Sequence, residues 1–274
     1  MMDFHTHTNN SLDSNRTMDE LIKCAMDKGL TGIAVTDHAE TWYFEQHQVI
    51  KHITDCINQV KEAKKKYTLK IFQGIEIGSP LDDIKKTKEM MSLCDYDVIL
   101  NSVHCVKYGD IEASFAAIDF SLLDDDTTYS LMDVYFDKML QTAKNSDFDI
   151  LCHLTYPFRY TNGRYGKNID VMRYENIICD IFKALIKRQK SLEINTASIG
   201  ERYGKFNCLC PDEYFIKKYY NMGGRYITLG SDSHRNIDGL TPGNGFDVAL
   251  PVLKKIGFDK ITYFEKRKMF FEKI

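Results

Sequence analysis

Short apolar, β-prone runs alternate with longer helical patterns along all 274 residues, and this alternation restricts the possible folds more than any other feature. The strand-like runs are 1–5, 31–37, 69–77, 97–103, 148–152, 192–195 and 225–230. The helix-like stretches lie around 17–28, 47–66, 82–92, 129–146, 170–189 and 211–221. Strands that alternate with helices form right-handed βαβ units and a parallel sheet. Seven such units favour an α/β fold closed into a TIM-like barrel, with 261–264 as a further, irregular strand.

Local signals support two of these helices. Thr17 and Glu20 have the spacing of a capping box, which predicts a helix that starts there and ends near Gly29. Pro211, followed by two acidic residues, is typical of a first helical turn, and the glycine pair 223–224 predicts the end of that helix. Because no linker, repeat or low-complexity segment divides the chain, we expect one domain over residues 1–274.

Charge and apolar patterning argue against several classes of partner. The net charge of -3 gives no positive field for nucleic acid. No apolar run approaches the roughly 18–20 residues that span a bilayer, so we expect no membrane association. The N-terminus lacks signal-peptide features, and the eight cysteines include no CxxC pair, so we expect reduced thiols in a cytoplasmic protein. The oligomeric state, including a homo-oligomer, stays open.

Six of the eight histidines fall at the carboxyl ends of predicted strands. These histidines are His5, His7, His38, His104, His153 and His234. The carboxylates at such ends are Asp37, Glu76, Glu193 and Asp232. In a parallel barrel all these ends point to one mouth, so side chains far apart in sequence should meet there.

Such a set is typical of a site for several metal ions. Buried imidazoles and carboxylates without partners are costly in free energy, and divalent ions supply those partners. Mixed nitrogen and oxygen ligands suit zinc, iron or manganese, and the set is large enough for two or three ions. A single histidine of this kind is more often an ordinary hydrogen-bonded residue. We interpret His47 and His52 in that way, because they lie in a helix-like stretch.

The motifs that carry these residues resemble the polymerase and histidinol phosphatase (PHP) superfamily over the whole chain. In order, they are His5-Thr6-His7, Thr36-Asp37-His38, Gly74-Ile75-Glu76 with Ser102-Val103-His104, and Gly230-Ser231-Asp232-Ser233-His234, with His153 before the last. The length and the segment 192–196 are similar to the histidinol-phosphate phosphatase branch. That resemblance implies a distorted (β/α)7 barrel and a trinuclear metal centre. The run 196–202 departs from the branch pattern and leaves the alignment of Arg202 open.

The resemblance implies three divalent ions, Zn²⁺, Fe²⁺ or Mn²⁺, and a ligand for each position. The first ion would take His5, His7, Glu76 and Asp232; the second Glu76, His104 and His153; the third Asp13, His38 and His234. Asp37 is expected to orient a neighbouring ligand rather than to bind an ion.

Three divalent ions with three carboxylates leave an excess of about three positive charges, which suits a phosphate monoester dianion and an activated water. Arg159 is the first candidate for clamping the phosphate, because its planar guanidinium binds two oxygens at once. Arg202 and Arg16 are further candidates, and Glu193 is the expected counter-charge for a substrate ammonium. Asp232, His234 or a metal-bound water could protonate the leaving group.

The resemblance implies hydrolysis of L-histidinol phosphate to L-histidinol and phosphate in histidine biosynthesis. One alternative is another phosphomonoesterase or phosphodiesterase of the superfamily, acting on a nucleotide or on phosphotyrosine. A second is a barrel that has lost its metals, although every expected ligand position is filled. The sequence identifies neither the native metal nor the role of the 105–128 loop, a candidate cover for the mouth.

Overall fold

The computed structural model describes residues 1–200, 202–204, 206–235 and 240–274. The strands in these ranges are β1 (Met2–Thr6), β2 (Gly32–Val35), β3 (His38–Glu40), β4 (Lys70–Gly78), β5 (Val98–Ser102), β6 (Cys105–Tyr108), β7 (Ile111–Ser114), β8 (Ile150–Leu151), β9 (Ser191–Asn195), β10 (Ile227–Gly230), β11 (Lys260–Glu265) and β12 (Lys268–Lys273). The α-helices are α1 (Met18–Asp27), α2 (Val49–Lys66), α3 (Ile84–Met91), α4 (Asp125–Asn145), α5 (Glu175–Arg188), α6 (Glu213–Asn221) and α7 (Phe246–Ile256). None of the helices in these ranges is both long and apolar enough to cross a membrane.

Seven parallel strands form a nearly closed barrel in the order β1-β2-β4-β5-β8-β9-β10. The remaining gap lies between β10 and β1. There the Asp232 N–H donates to the His5 carbonyl at 2.8 Å, and Thr6 forms a parallel bridge with Ser233. The predicted distorted (β/α)7 TIM-like barrel is therefore confirmed, and each of the seven predicted strands corresponds to one strand of the barrel.

Helix α1 illustrates how local sequence sets an element that packs on the barrel. The Thr17 side chain accepts from the Glu20 N–H, and the Glu20 carboxylate accepts from the Thr17 N–H, so the predicted capping box is present. The helix ends at Asp27, and Gly29 follows with a φ of 72°. Its buried residues, at helical spacing, are Met18, Leu21, Ile22 and Ala25. They pack with side chains of β2 and α2 in one apolar cluster.

The start of α6 differs from the prediction. Asp212 is the N-cap, and its side chain accepts from the Phe215 N–H at 3.1 Å, so Pro211 precedes the cap instead of lying in the first turn. Helix α7 was not predicted, and neither were β3 and the β6–β7 hairpin. The chain reaches β3 directly from β2, and both strands pair with β4, one along each half of it.

The predicted tail strand is also present, but it lies outside the barrel sheet. Strand β11 pairs antiparallel with β12 as a separate hairpin. This hairpin covers the amino-terminal end of the barrel: the Thr262 hydroxyl donates to the Ile227 carbonyl at 2.8 Å, and Phe264 packs in the apolar cluster inside the barrel. The apolar fill therefore lies at this end, and polar side chains occupy the carboxyl-terminal mouth.

Candidate metal centre

The mouth of the barrel brings the six predicted histidines together. Five of their rings form a closed circle in which neighbouring centroids lie 4.4 to 5.7 Å apart. In order around the circle they are His5, His7, His38, His104 and His153. The sixth ring, His234, stacks on His7 at 3.9 Å. The convergence that parallel strand ends predict is thus present, although metal binding by each residue stays a prediction.

The carboxylate of Glu76 lies inside this circle and is fully buried. Its Oε1 is 2.9 Å from His153 Nε2 and 3.2 Å from His104 Nε2. Its Oε2 is 2.8 Å from His38 Nδ1, 3.3 Å from His5 Nε2 and 3.6 Å from His7 Nε2. One carboxylate therefore presents its two oxygens to two different groups of histidines, as a carboxylate shared by two ions must do.

The donor atoms fit metal ions better than they fit one another. In the described residues, His5 Nε2, His7 Nε2 and Glu76 Oε2 are buried and make no hydrogen bond of normal geometry. The Nε2 atoms of His38 and His234 face each other at 3.1 Å, and a tetrahedral zinc site spaces its nitrogen ligands by about 3.3 Å. Overlapping groups of three donors, among them His5, His7 and Asp232, can hold several ions.

Electrostatics keeps Glu76, Asp232 and His7 in the protonation states that bind metals. Burial opposes charge on Glu76, but His38 and His5 hold its pKa well below the usual range. Burial also opposes charge on Asp232, and His5 and His7 keep its pKa low. Burial and the neighbouring histidines lower the pKa of His7 well below its usual value, so this ring is neutral. Ionised carboxylates beside a neutral imidazole are the forms that coordinate divalent ions. Against the effect of burial, nearby carboxylates raise the pKa of His5, His38 and His104, and a bound metal ion would displace the extra ring protons.

Asp13 lies on the solvent side of the centre, with 54% of its side chain exposed. Its Oδ1 is 3.6 Å from His38 Nε2, and its Oδ2 is 3.5 Å from His234 Nε2. Burial works against its ionisation, but His234 and His38 bring its pKa far below the ordinary value. Asp13, His38 and His234, the predicted third group, are therefore neighbours.

Hydrogen bonds at the opposite ring nitrogens orient several histidines. His5 Nδ1 lies 2.5 Å from Glu193, and His104 Nδ1 lies 2.6 Å from Glu40. His7 Nδ1 lies 3.0 Å from the Ser11 hydroxyl, and that hydroxyl donates to Asp37 at 2.7 Å. In the neutral tautomer that a metal ligand requires, the contacted ring nitrogen carries the proton and the Nε2 lone pair faces the centre.

Asp37 orients His7 through Ser11, as the sequence predicts for this residue. Glu40 and Ser11 were missed. The available signal for Glu40 was its position two residues after His38, which puts both side chains on one face of a strand.

Glu193 does not occupy the place that its predicted contact with the substrate requires. Its Oε1 contacts the His5 ring, and its Oε2 accepts from the His153 N–H at 2.6 Å. The side chain is buried behind His5 and does not line the cavity at the mouth. The position of this carboxylate also explains the glycine at position 230, because a Cβ there would overlap Glu193.

Arg16 is likewise turned away from the mouth. Its guanidinium is buried and donates to the Ser233 hydroxyl at 3.3 Å and to the carbonyls of Arg235 and Leu240 at 2.9 and 3.0 Å. It therefore anchors the chain around His234, which argues against the predicted role in substrate binding.

Arg159 and Arg202 line the cavity at the mouth, which has a volume of about 220 Å³. Arg159 is buried; its Nη1 donates to Asp232 at 3.1 Å and its Nη2 to Asn195, a residue that the sequence did not single out. Arg202 lies over the Tyr203 ring at 5.2 Å, and residue 201 of the preceding run lies outside the described residues.

Aromatic side chains and two further histidines form another part of the cavity wall. It includes Trp42, His47, His52, Tyr156, Tyr160 and Tyr203. His47 and His52 thus border the cavity while lying outside the histidine circle. Part of the 105–128 loop, including Ser114 and Ala116, also lines it.

Two residues of the proposed ligand set have a positive φ. His153 follows β8 with a φ of 24°, and Asp232 follows β10 with a φ of 54°. Residues other than glycine rarely adopt such φ angles. Because both residues are buried, we infer that the contacts around them hold the backbone in this conformation.

The protein is thus a seven-stranded parallel barrel. Histidines and carboxylates at its mouth form a site that can hold several metal ions. Residues 3–197 match the PHP domain, and the chain belongs to this family. It is 28% identical to a probable histidinol-phosphatase from Clostridium acetobutylicum, over 98% of each chain. It is 27% identical to histidinol-phosphatase from Lactococcus lactis, over 98% of this chain and 96% of that one. The crystal structure of histidinol phosphate phosphatase from Lactococcus lactis, complexed with zinc, L-histidinol and phosphate, matches with a TM-score of 0.76 at 27% identity and covers 98% of both chains.

Proposed function

We propose that the protein is a metal-dependent histidinol-phosphatase, which hydrolyses L-histidinol phosphate to L-histidinol and phosphate. The observation that carries the proposal is the buried Glu76 carboxylate within a circle of five histidines, beside a cavity that contains Arg159. Similarity to histidinol-phosphatases over nearly the whole chain supports the choice of substrate.

The proposed ligands are those that the family resemblance implies. They are His5, His7, Glu76 and Asp232 for one ion, Glu76, His104 and His153 for a second, and Asp13, His38 and His234 for a third. Divalent ions bound there would neutralise the phosphoryl oxygens and supply a nucleophilic water at neutral pH. Zinc in the Lactococcus lactis structure supports zinc as one suitable metal.

Arg159 is our candidate for the phosphate clamp. Its buried guanidinium is held by Asp232 and Asn195, and its Nε–H has no hydrogen-bond partner in the described part of the chain. A guanidinium fixed in this way can bind a phosphate oxygen without losing further side-chain entropy. Arg202 lines the same cavity and is a second candidate.

The leaving alkoxide needs a proton, and of the two predicted donors, Asp232 and His234, we favour His234, because His5 and His7 keep Asp232 ionised. Both line the cavity, and His234 Nδ1 is 3.3 Å from Asp232 Oδ1. The aromatic wall formed by Trp42, Tyr156 and Tyr203 suits the planar imidazole of L-histidinol. With Glu193 buried behind His5, the carboxylates that line the cavity in the described residues are Asp13, Glu40 and Asp232.

The cell compartment is part of the proposal. We expect activity in the cytoplasm, since none of the eight cysteines forms a disulfide. The open cavity at the mouth, about 220 Å³ in volume, is the proposed site for the small-molecule substrate.

Phosphate release from L-histidinol phosphate, phosphotyrosine and 3′,5′-phosphoadenosine tests the substrate. We expect kcat/KM for L-histidinol phosphate to exceed that for the other two by at least ~100-fold. Equal turnover of all three esters would reject this substrate and favour another phosphoesterase of the family.

Binding of the product can be measured separately. Trp42, the single tryptophan, lines the cavity, so its fluorescence should change on adding L-histidinol. Trp42→Phe, which removes this signal, is the control.

A further inference from the structure

Glu40 is a carboxylate at the mouth with no role in the proposed ligand set. It ends β3, two residues after His38, so the two side chains lie on the same face of the strand. Its Oε1 is 2.6 Å from His104 Nδ1 but 3.9 Å from His38 Nδ1, so its contact is with the histidine that follows β5.

We infer that Glu40 is a positioning residue that orients His104 as a metal ligand. A neutral imidazole has one N–H, and donating it from Nδ1 to Glu40 leaves the lone pair on Nε2. His104 Nε2 lies 3.2 Å from both Glu76 Oε1 and His153 Nε2, the other two proposed ligands of that ion. The carboxylate thus selects the tautomer and the ring angle, and it raises the basicity of the ligand.

The register of β3 against β4 explains how this carboxylate fits. Glu40 pairs with Gly78, just as His38 pairs with Glu76 two positions earlier. A Cβ at position 78 would overlap the Glu40 carboxylate. Gly78 does not have a positive φ, so the space it leaves, and not its backbone freedom, accounts for glycine here.

Glu193 contacts the Nδ1 of His5 in the same way, but the two carboxylates differ in their burial and in their other hydrogen bonds. Glu193 is buried and is also fixed by the His153 N–H and the Asn195 amide. Glu40 keeps 17% of its side chain exposed, and in the described residues its Oε2 makes no hydrogen bond of normal geometry. Replacing Glu40 therefore leaves no backbone donor unsatisfied, so its effect can be measured in a folded protein.

The inference rests on the proposed metal ligands, and zinc binding without substrate tests it. Zinc per chain and the stepwise dissociation constants would be measured by chelator competition for wild type, Glu40→Gln, Glu40→Ala and Gly78→Ala. We expect one dissociation constant to rise by ~10–100-fold, more in Glu40→Ala than in Glu40→Gln, and the others to stay within about threefold. Gly78→Ala should weaken the same ion, because it displaces the carboxylate without removing it. Glu45→Gln, a surface change opposite Lys86, should alter nothing.

The melting temperature of the metal-free protein separates positioning from a general structural role. We expect metal-free Glu40→Gln to melt within ~2 °C of wild type and to lose stability only with zinc present. Unchanged zinc constants in Glu40→Ala would overturn the inference, whether or not activity falls. Failure of L-histidinol phosphate as a substrate would leave this result standing, whereas a wild type without zinc affinity would remove the proposed function and the inference together.

Discussion

Replacing Glu76 with glutamine should disable the metal centre while preserving the shape of the side chain. The two carboxylate oxygens lie within 3.6 Å of nitrogens from five histidines, and the side chain is fully buried. An amide presents one oxygen and one NH₂ group, so it cannot offer an acceptor to both sides of the centre. Because two proposed ions share this carboxylate, we expect kcat/KM to fall by at least ~100-fold, a loss of at least about 2.7 kcal/mol of transition-state stabilisation.

The assay is phosphate release from L-histidinol phosphate, with zinc per chain measured on the same chelator-free samples. Zinc content should fall by at least one ion per chain, and circular dichroism should confirm that the variant folds. Glu112→Gln, which changes a surface glutamate paired with Lys107, is the matched control and should behave as wild type. Near-normal activity and zinc content in Glu76→Gln would refute the shared-carboxylate assignment.

Three further perturbations test separate parts of the account. Arg159→Lys should lower kcat/KM ~10–100-fold with zinc content unchanged, because lysine is a point charge and cannot hold Asp232 and a phosphate together; steady-state kinetics and elemental analysis would check this. Arg267→Ala should lower the unfolding free energy by about 1–3 kcal/mol at pH 7, because the guanidinium contacts Asp147 and Asp149 and ties the β11–β12 hairpin to the barrel. Arg267 lowers the pKa of Asp147, so this stabilisation is present above the unfolded value of 3.8 and is lost as pH falls below it; urea unfolding at pH 7 and pH 3 should show a smaller difference at pH 3. Chelation should lower the melting temperature by at least about 5 °C, with recovery on adding zinc, and a melt indifferent to chelator would contradict a metal centre built into the fold.

Much of the fold could be predicted because its signals are local. Each barrel strand is a short apolar run, and the capping box at Thr17 marks a helix start that the structure contains. Strand β3 was missed because it has three residues and follows β2 after a short break, so no periodic pattern can form. The β11–β12 hairpin was only partly predicted, since its place across the barrel end depends on contacts with distant residues.

The metal site could be predicted because its pattern of residue types can be recognised in the sequence alone. Histidines and carboxylates at strand ends must share one mouth if the sheet is parallel and closed. The direction in which a side chain outside the metal centre points could not be predicted in this way. Glu193 and Arg16 have suitable charges for a substrate, yet packing turns one behind His5 and the other toward backbone carbonyls. Glu40 escaped notice because its partner, His104, is 64 residues away in sequence.

Anomalous diffraction at the zinc edge, from crystals of the zinc-loaded protein, tests the central claim most directly. The account predicts up to three peaks at the barrel mouth, two of them on opposite sides of the Glu76 carboxylate and one between His38, His234 and Asp13. Peaks elsewhere on the surface, or an empty mouth at saturating zinc, would contradict it.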